Sequence, residues 1–170
     1  MRLLLPIAAI AWILAVLPAW ARGDSSSVDE ADRLIDRGLT LREQGEDAAA
    51  LELFERANLR SPSPRALAQV ALAEQALGRW VDAEDHLRAA LGAAQDAWIA
   101  GHRLALDKAL DIIEHRLGHL EVTGGVPGAE VLLDGHPIAR LPMAVPVRAV
   151  VGTAVVEVRA PGHLPVKRPV

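Results

Sequence analysis

"GEDAAALELFERA", Gly45 to Ala57, is written again as "GRWVDAEDHLRAA", Gly78 to Ala90. Gly45 aligns with Gly78, Ala50 with Ala83, Phe54 with Leu87 and Ala57 with Ala90, each pair 33 residues apart. A period of this size, with two helix-patterned runs per unit, marks a helical array whose units stack on their neighbours. The residue types follow from that geometry. Glycine opens a sharp turn, alanine lets two helix backbones approach, and Phe54 or Leu87 fills the space beside the alanines.

Toward the N-terminus, Ala31, Leu34, Ile35, Gly38 and Leu41 recur at helical spacing. Ser27-Val28-Asp29-Glu30 has the S-x-x-E form of a capping box, so the first helix is expected to begin at Val28, after a polar linker over 22–27. A second helix reads Ala48 to Leu59. Ser61-Pro62-Ser63-Pro64 interrupts it, with Ser63 as N-cap and Pro64 at the first position of a third helix. Beyond the second repeat, Asp96 is placed to cap a long helix from Ala97 to about Leu117, closed by Gly118. Its apolar faces are Ile99, Leu104, Leu106, Leu110, Ile113 and Leu117. Two repeats need a cover at the end of the stack, and this helix reads as the cap.

The first unit, with Leu34, Gly38, Leu41, Ala50, Phe54, Ala57 and Pro62 in register, resembles a tetratricopeptide repeat. The second keeps Ala71, Gly78, Ala83, Leu87 and Ala90 but has Glu74 at an apolar position and Gln95 for the closing proline. The resemblance implies a concave groove, lined by the first helix of each pair, that takes a peptide or helix. Its groove positions fall on Asp32, Ile35, Leu39 and Arg42, and on Arg65, Ala68, Leu72 and Gln75. The competing expectation is that the capping helix or the C-terminal region fills this groove.

From Leu120 the composition turns to Val, Gly and Pro. Gly124-Gly125 and Pro127-Gly128 are turn dipeptides, and Asp134-Gly135 between "AEVLL" and "HPIAR" is a hairpin signal. In "VVEVR", Val156 and Val158 alternate with Glu157 and Arg159, predicting one buried and one wet face. Residues 119–170 therefore read as a small antiparallel β-sandwich or meander of five or six strands. Pro127-Gly128-Ala129, Asp134-Gly135, Leu141-Pro142, Gly152, Val156, Val158 and Gly162-His163 make the segment similar to the PEGA domain. The expected fold class is α+β: a signal helix over 1–21, a repeat domain over 28–118, and the β domain over 119–170.

Leu3 to Ala21 carries no charge, follows Arg2 and ends in Ala19-Trp20-Ala21, a small-x-small site. Export with cleavage after Ala21 is expected. An uncleaved membrane anchor is the alternative, and either places the remainder outside the cytoplasm.

Aromatic residues make up only 3% of the 170, so the core is aliphatic and an aromatic cofactor pocket is not expected. A net charge of -4 argues against nucleic acid. The acidic excess lies in the helical half, net -6 over 22–119 against +1 over 120–170, which favours a neutral or basic partner for the repeats. The absence of cysteine rules out disulfides, thiolate metal sites and a cysteine nucleophile. Every serine falls in a linker or a cap, no phosphate loop precedes a helix, and His115 with His119 has no evident third ligand. No catalytic, cofactor or metal residue is therefore expected. The reading is an exported, non-enzymatic adaptor of the bacterial envelope that binds a protein segment, with possible wall contact by the β domain. The alternatives are a glycan- or peptidoglycan-binding β domain scaffolded or dimerised by the repeats and, more remotely, a metal-dependent hydrolase.

Overall fold

The computed structural model describes residues 23–170. The expected signal segment, its cleavage site and the alternative anchor lie outside the described residues. Among the described residues, no helix is long and apolar enough to cross a membrane.

Among the described residues, five helices precede two small antiparallel sheets, an α+β arrangement. The helices are α1 (Gly23–Glu43), α2 (Asp47–Arg60), α3 (Pro64–Ala76), α4 (Trp80–Gly92) and α5 (Ala97–Glu114). They pack in chain order, α1 on α2 and α3 on α4, with α2 against α3 and α5 against both α3 and α4. The period survives in the backbone. Gly45 (φ 79°) and Gly78 (φ 74°) both take the left-handed conformation. The amides of Glu46 and Arg79 return to the carbonyls of Leu41 and Glu74, each at 2.9 Å. This is the same glycine-closed helix end made twice, and a side chain at either glycine would be strained.

Helix α3 belongs to two cores. Ala66, Val70 and Ala73 pack with Ile35 of α1 and Phe54 of α2. Ala68 and Ala71 pack with Leu87 of α4 and with Ile99, Leu106 and Ile113 of α5. Alanine recurs on α3 because a helix sandwiched between neighbours has little room for longer side chains. Ser63 Oγ accepts the Ala66 amide at 3.1 Å and Asp96 Oδ1 accepts the Ile99 amide at 3.0 Å, as the spacing predicts.

Two boundaries differ from the sequence reading. Helix α1 is already formed at Gly23, the first described residue, so Ser27 and Val28 lie inside it and residues 23–27 are no linker. Serine and aspartate cost only some tenths of a kcal/mol in a helix already nucleated by packing, so α1 propagates past the capping box. Helix α5 ends at Glu114, and Leu117 to Leu120 form strand β1. Its ladder with β4 (Val147–Val150) pairs Leu117 with Val150 and Gly118 with Ala149, making Gly118 a strand residue and not a helix stop. Leu117 nonetheless stays in the second helical core.

The larger sheet has the order β3-β2-β5-β6, from β2 (Glu130–Leu133), β3 (His136–Arg140), β5 (Val155–Arg159) and β6 (Val166–Pro169). Asp134 (φ 49°) and Gly135 (φ 84°) make the tight hairpin between β2 and β3. Ala129, Val131, Leu141 and Val156 form its core, flanked by Leu120, Val122 and Val158. Glu157, expected on the wet face, is only 5% exposed. Arg159 (2.8 Å) and Lys167 (3.4 Å) pair with its carboxylate from the same face and cover it.

A Cβ at Gly38 would collide with the Phe54 ring, whose Cδ1 and Cζ lie 2.9 Å from its position. Glycine-to-alanine in a helix interior ordinarily gains up to about 1 kcal/mol. Gly38→Ala is instead expected to cost about 1–3 kcal/mol through overpacking, measured by denaturant unfolding.

Candidate functional site

The eight positions expected to line a groove divide by burial. Ile35 (1% exposed) and Ala68 (0%) sit in the two helical cores and offer no surface to a partner. Leu39 and Leu72 are half-buried against the same cores. Arg65 bridges α3 to α1 through Asp32 (3.1 Å) and Asp36 (3.2 Å), and Arg42 pairs with Asp47 at 3.2 Å. Gln75 is half-buried. Helix α5 packs on the Ala68 and Leu72 side of α3, so the capping helix takes up part of the second unit's expected groove.

The bare surface lies instead on α5 itself. On α1, Ala31, Leu34, Ile35 and Gly38 are buried, with Phe54 of α2 against Gly38. Two periods later the corresponding residues of α5 are Ala97, Ala100, Gly101 and Leu104, and all four are exposed. Leu104 is 72% exposed and Ile112, two turns on, is 52% exposed. Ala97, Gly101, Leu104, Lys108 and Ile112 fall on one stripe at intervals of three and four residues. The sequence reading counted Leu104 among the apolar faces of a cap. Carrying the 33-residue period one unit further would have flagged it as a face without a partner helix.

A second constellation fixes the β region to the helices. Glu84 of α4, 1% exposed, accepts from Arg148 of β4 at Nε (2.8 Å) and Nη2 (2.5 Å). Arg88 adds a contact at 3.0 Å and continues to Glu114 of α5 at 2.6 Å. The Arg148 hydrogen bonds, opposed by burial and helped by Arg88, hold the Glu84 carboxyl below its usual range. Arg116 sits over the Trp80 ring, 5.5 Å from its centroid, at the same junction. Glu74, in the position where the repeat pattern expects an apolar residue, is also buried, and His86 Nδ1 lies 2.7 Å from its carboxylate. Burial is the main influence there and pushes the Glu74 carboxyl up, with His86 partly offsetting it.

His115 and His119 do not converge on a common point. His115 Nδ1 meets the Asp111 carbonyl at 2.6 Å at the end of α5, a hydrogen bond that raises the His115 pKa. His119 lies on β1, 3.5 Å from Arg148. Among the described residues, no group of three His, Asp or Glu side chains is arranged to hold a metal ion.

Arg148→Ala leaves the Glu84 carboxylate buried with Arg88 alone, and is expected to cost about 2–3 kcal/mol at pH 7. Because the Glu84 pKa is lower folded than unfolded, the stability it contributes is present above the unfolded value of about 4.5 and is lost as pH falls through the folded value. The wild-type-to-variant difference, read from urea unfolding at pH 7 and at pH 3, should therefore shrink in acid. No family model, curated protein or solved structure matches this chain.

Proposed function

We propose that this protein is an exported, non-enzymatic adaptor of the bacterial cell envelope. Its two helix pairs act as tetratricopeptide-type repeats that present the capping helix α5 to a partner helix, and its sheets act as a PEGA-like sandwich locked to them. The observation that carries the reading is the uncovered stripe on α5: Gly101 and Leu104 stand where each earlier unit presents residues covered by its own second helix, and Ile112 extends the bare face. Burying such a stripe against an amphipathic helix recovers roughly 25 cal/mol per Å² of apolar surface. Leu104 projects where Gly38 and Ala71 form hollows, so the incoming helix must place a small residue opposite it. The half-buried Leu39 and Leu72 supply at most a shallower second contact.

A photo-crosslinking residue at Leu104, compared in living cells with one at Leu72 and one at His136, tests this. The expected outcome is a discrete protein captured from Leu104 and lost on adding Ile112→Asp, a change that leaves stability within about 0.5 kcal/mol at an exposed site. Capture from His136 alone would overturn the reading and make the β region the working half.

A further inference from the structure

The β region contains a half-open cleft of about 470 Å³, inside the range of small-molecule sites. Val156 and Val158 of β5 and Val166 of β6 line it together with Leu120, Val122 and Leu141, and Gly124 and Gly125 border it. A side chain at Gly125 would be strained: its φ is +96° and a Cβ there would lie 2.7 Å from Leu141 Cδ1. One cation interrupts this aliphatic lining. Arg168 is paired with Val156 in the β5–β6 ladder, as Val166 is with Val158, so all four side chains stand on the same face.

Arg168 is set apart by its lack of a partner. Of the five Arg and Lys residues after Leu120, Arg140, Arg148, Arg159 and Lys167 each have a carboxylate within 4.0 Å. Among the described residues, Arg168 has none. A guanidinium set between Val166 and Val170 on this face of β6 offers two parallel donors to a carboxylate, the geometry in which arginine binds most strongly. Glu121 also borders the cleft, but its neighbours Leu120 and Val122 turn toward the core while it is exposed, leaving it on the rim.

Two other occupants fit poorly. No Phe, Trp or Tyr occurs after Leu120, so a sugar ring finds nothing to stack on. A peptide strand would have to pair with the free edge of β6. Ala154 and Val170 exchange two backbone hydrogen bonds, at 3.3 and 2.9 Å, so by alternation Val166 and Arg168 direct their amides to β5. Pro165, Lys167 and Pro169 then face outward, leaving a single N–H on that edge.

We propose that this cleft binds a free, single aliphatic chain ending in a carboxylate, with Arg168 taking the head and the valine rows of β5 and β6 the tail. The site is separate from the α5 stripe, so either assignment stands or falls without the other.

Dodecanoate, kept below its micellar concentration, is titrated into the purified protein and followed by calorimetry and by amide shifts. The expected result is saturable one-to-one binding with shifts centred on Val156, Val158 and Val166. Arg168→Gln should weaken it about tenfold or more with unchanged melting, since a charge-assisted hydrogen bond is removed from an exposed residue. Dodecyltrimethylammonium, with the same tail and the opposite charge, should not compete. The proposal is overturned by absent or non-saturable binding, by equal affinity in Arg168→Gln, or by equal shifts from the ammonium amphiphile. Phosphatidylglycerol vesicles bound in preference to dodecanoate would overturn it too, in favour of a membrane surface.

Discussion

A carboxylate that is 1% exposed in the middle of a helix needs a cation from elsewhere, and for Glu84 that cation comes from Arg148, 64 residues later. Burying either group alone would cost several kcal/mol, so the helical array and the β region are each incomplete without the other. The order of the chain follows from this constraint. Strand β4 must reach α4, which places its partner β1 directly after α5 and cuts that helix short at Glu114. Leu117 then does two jobs, as a strand residue paired with Val150 and as a member of the second helical core.

Local pattern carried most of the helical part. The 33-residue period, the capping residues Ser63 and Asp96 and the turn glycines Gly45 and Gly78 act within a few residues of themselves, and each is realised as read. The Asp134-Gly135 hairpin belongs to the same class. What escaped the reading depends on partners distant in sequence. Whether Gly118 stops a helix or joins a ladder is decided by residues near Val150. Glu157 looks wet in alternation, yet it is buried because Arg159 and Lys167 cover it. Ile35 and Ala68 satisfy a groove template by position, but their burial is set by α2, α4 and α5 together. The exposure of Leu104 is an omission of packing, legible only by carrying the period past the second unit to where no partner helix is written.

The three buried glutamates show three ways of keeping an acid inside. Glu84 is ionised and held by Arg88 of its own helix and by Arg148 from the β region. Glu157 is ionised and roofed by neighbours on its own sheet. Glu74 has a single histidine, and its carboxyl is pushed up because that partner does not outweigh burial. Acid therefore acts on them in opposite directions: it removes the contributions of Glu84 and Glu157 and relieves the cost of Glu74.

The bare side of α5 also bears on how such a chain can change length. Duplication of a 33-residue unit is the natural way for an array of this type to grow, since each new unit meets only its neighbours. Here α4 carries Glu84, and α5 runs straight into Leu117, so a unit inserted after residue 92 would separate β4 from its ion pair unless it brought its own acid where the first unit has Leu51. A copy of the α1–α2 unit, with Leu51 at that position, is accommodated without breaking the pair only on the N-terminal side of α3. The junction with the sheets thus sets which unit must stand last, while a copy of α1–α2 added before α3 leaves that junction intact.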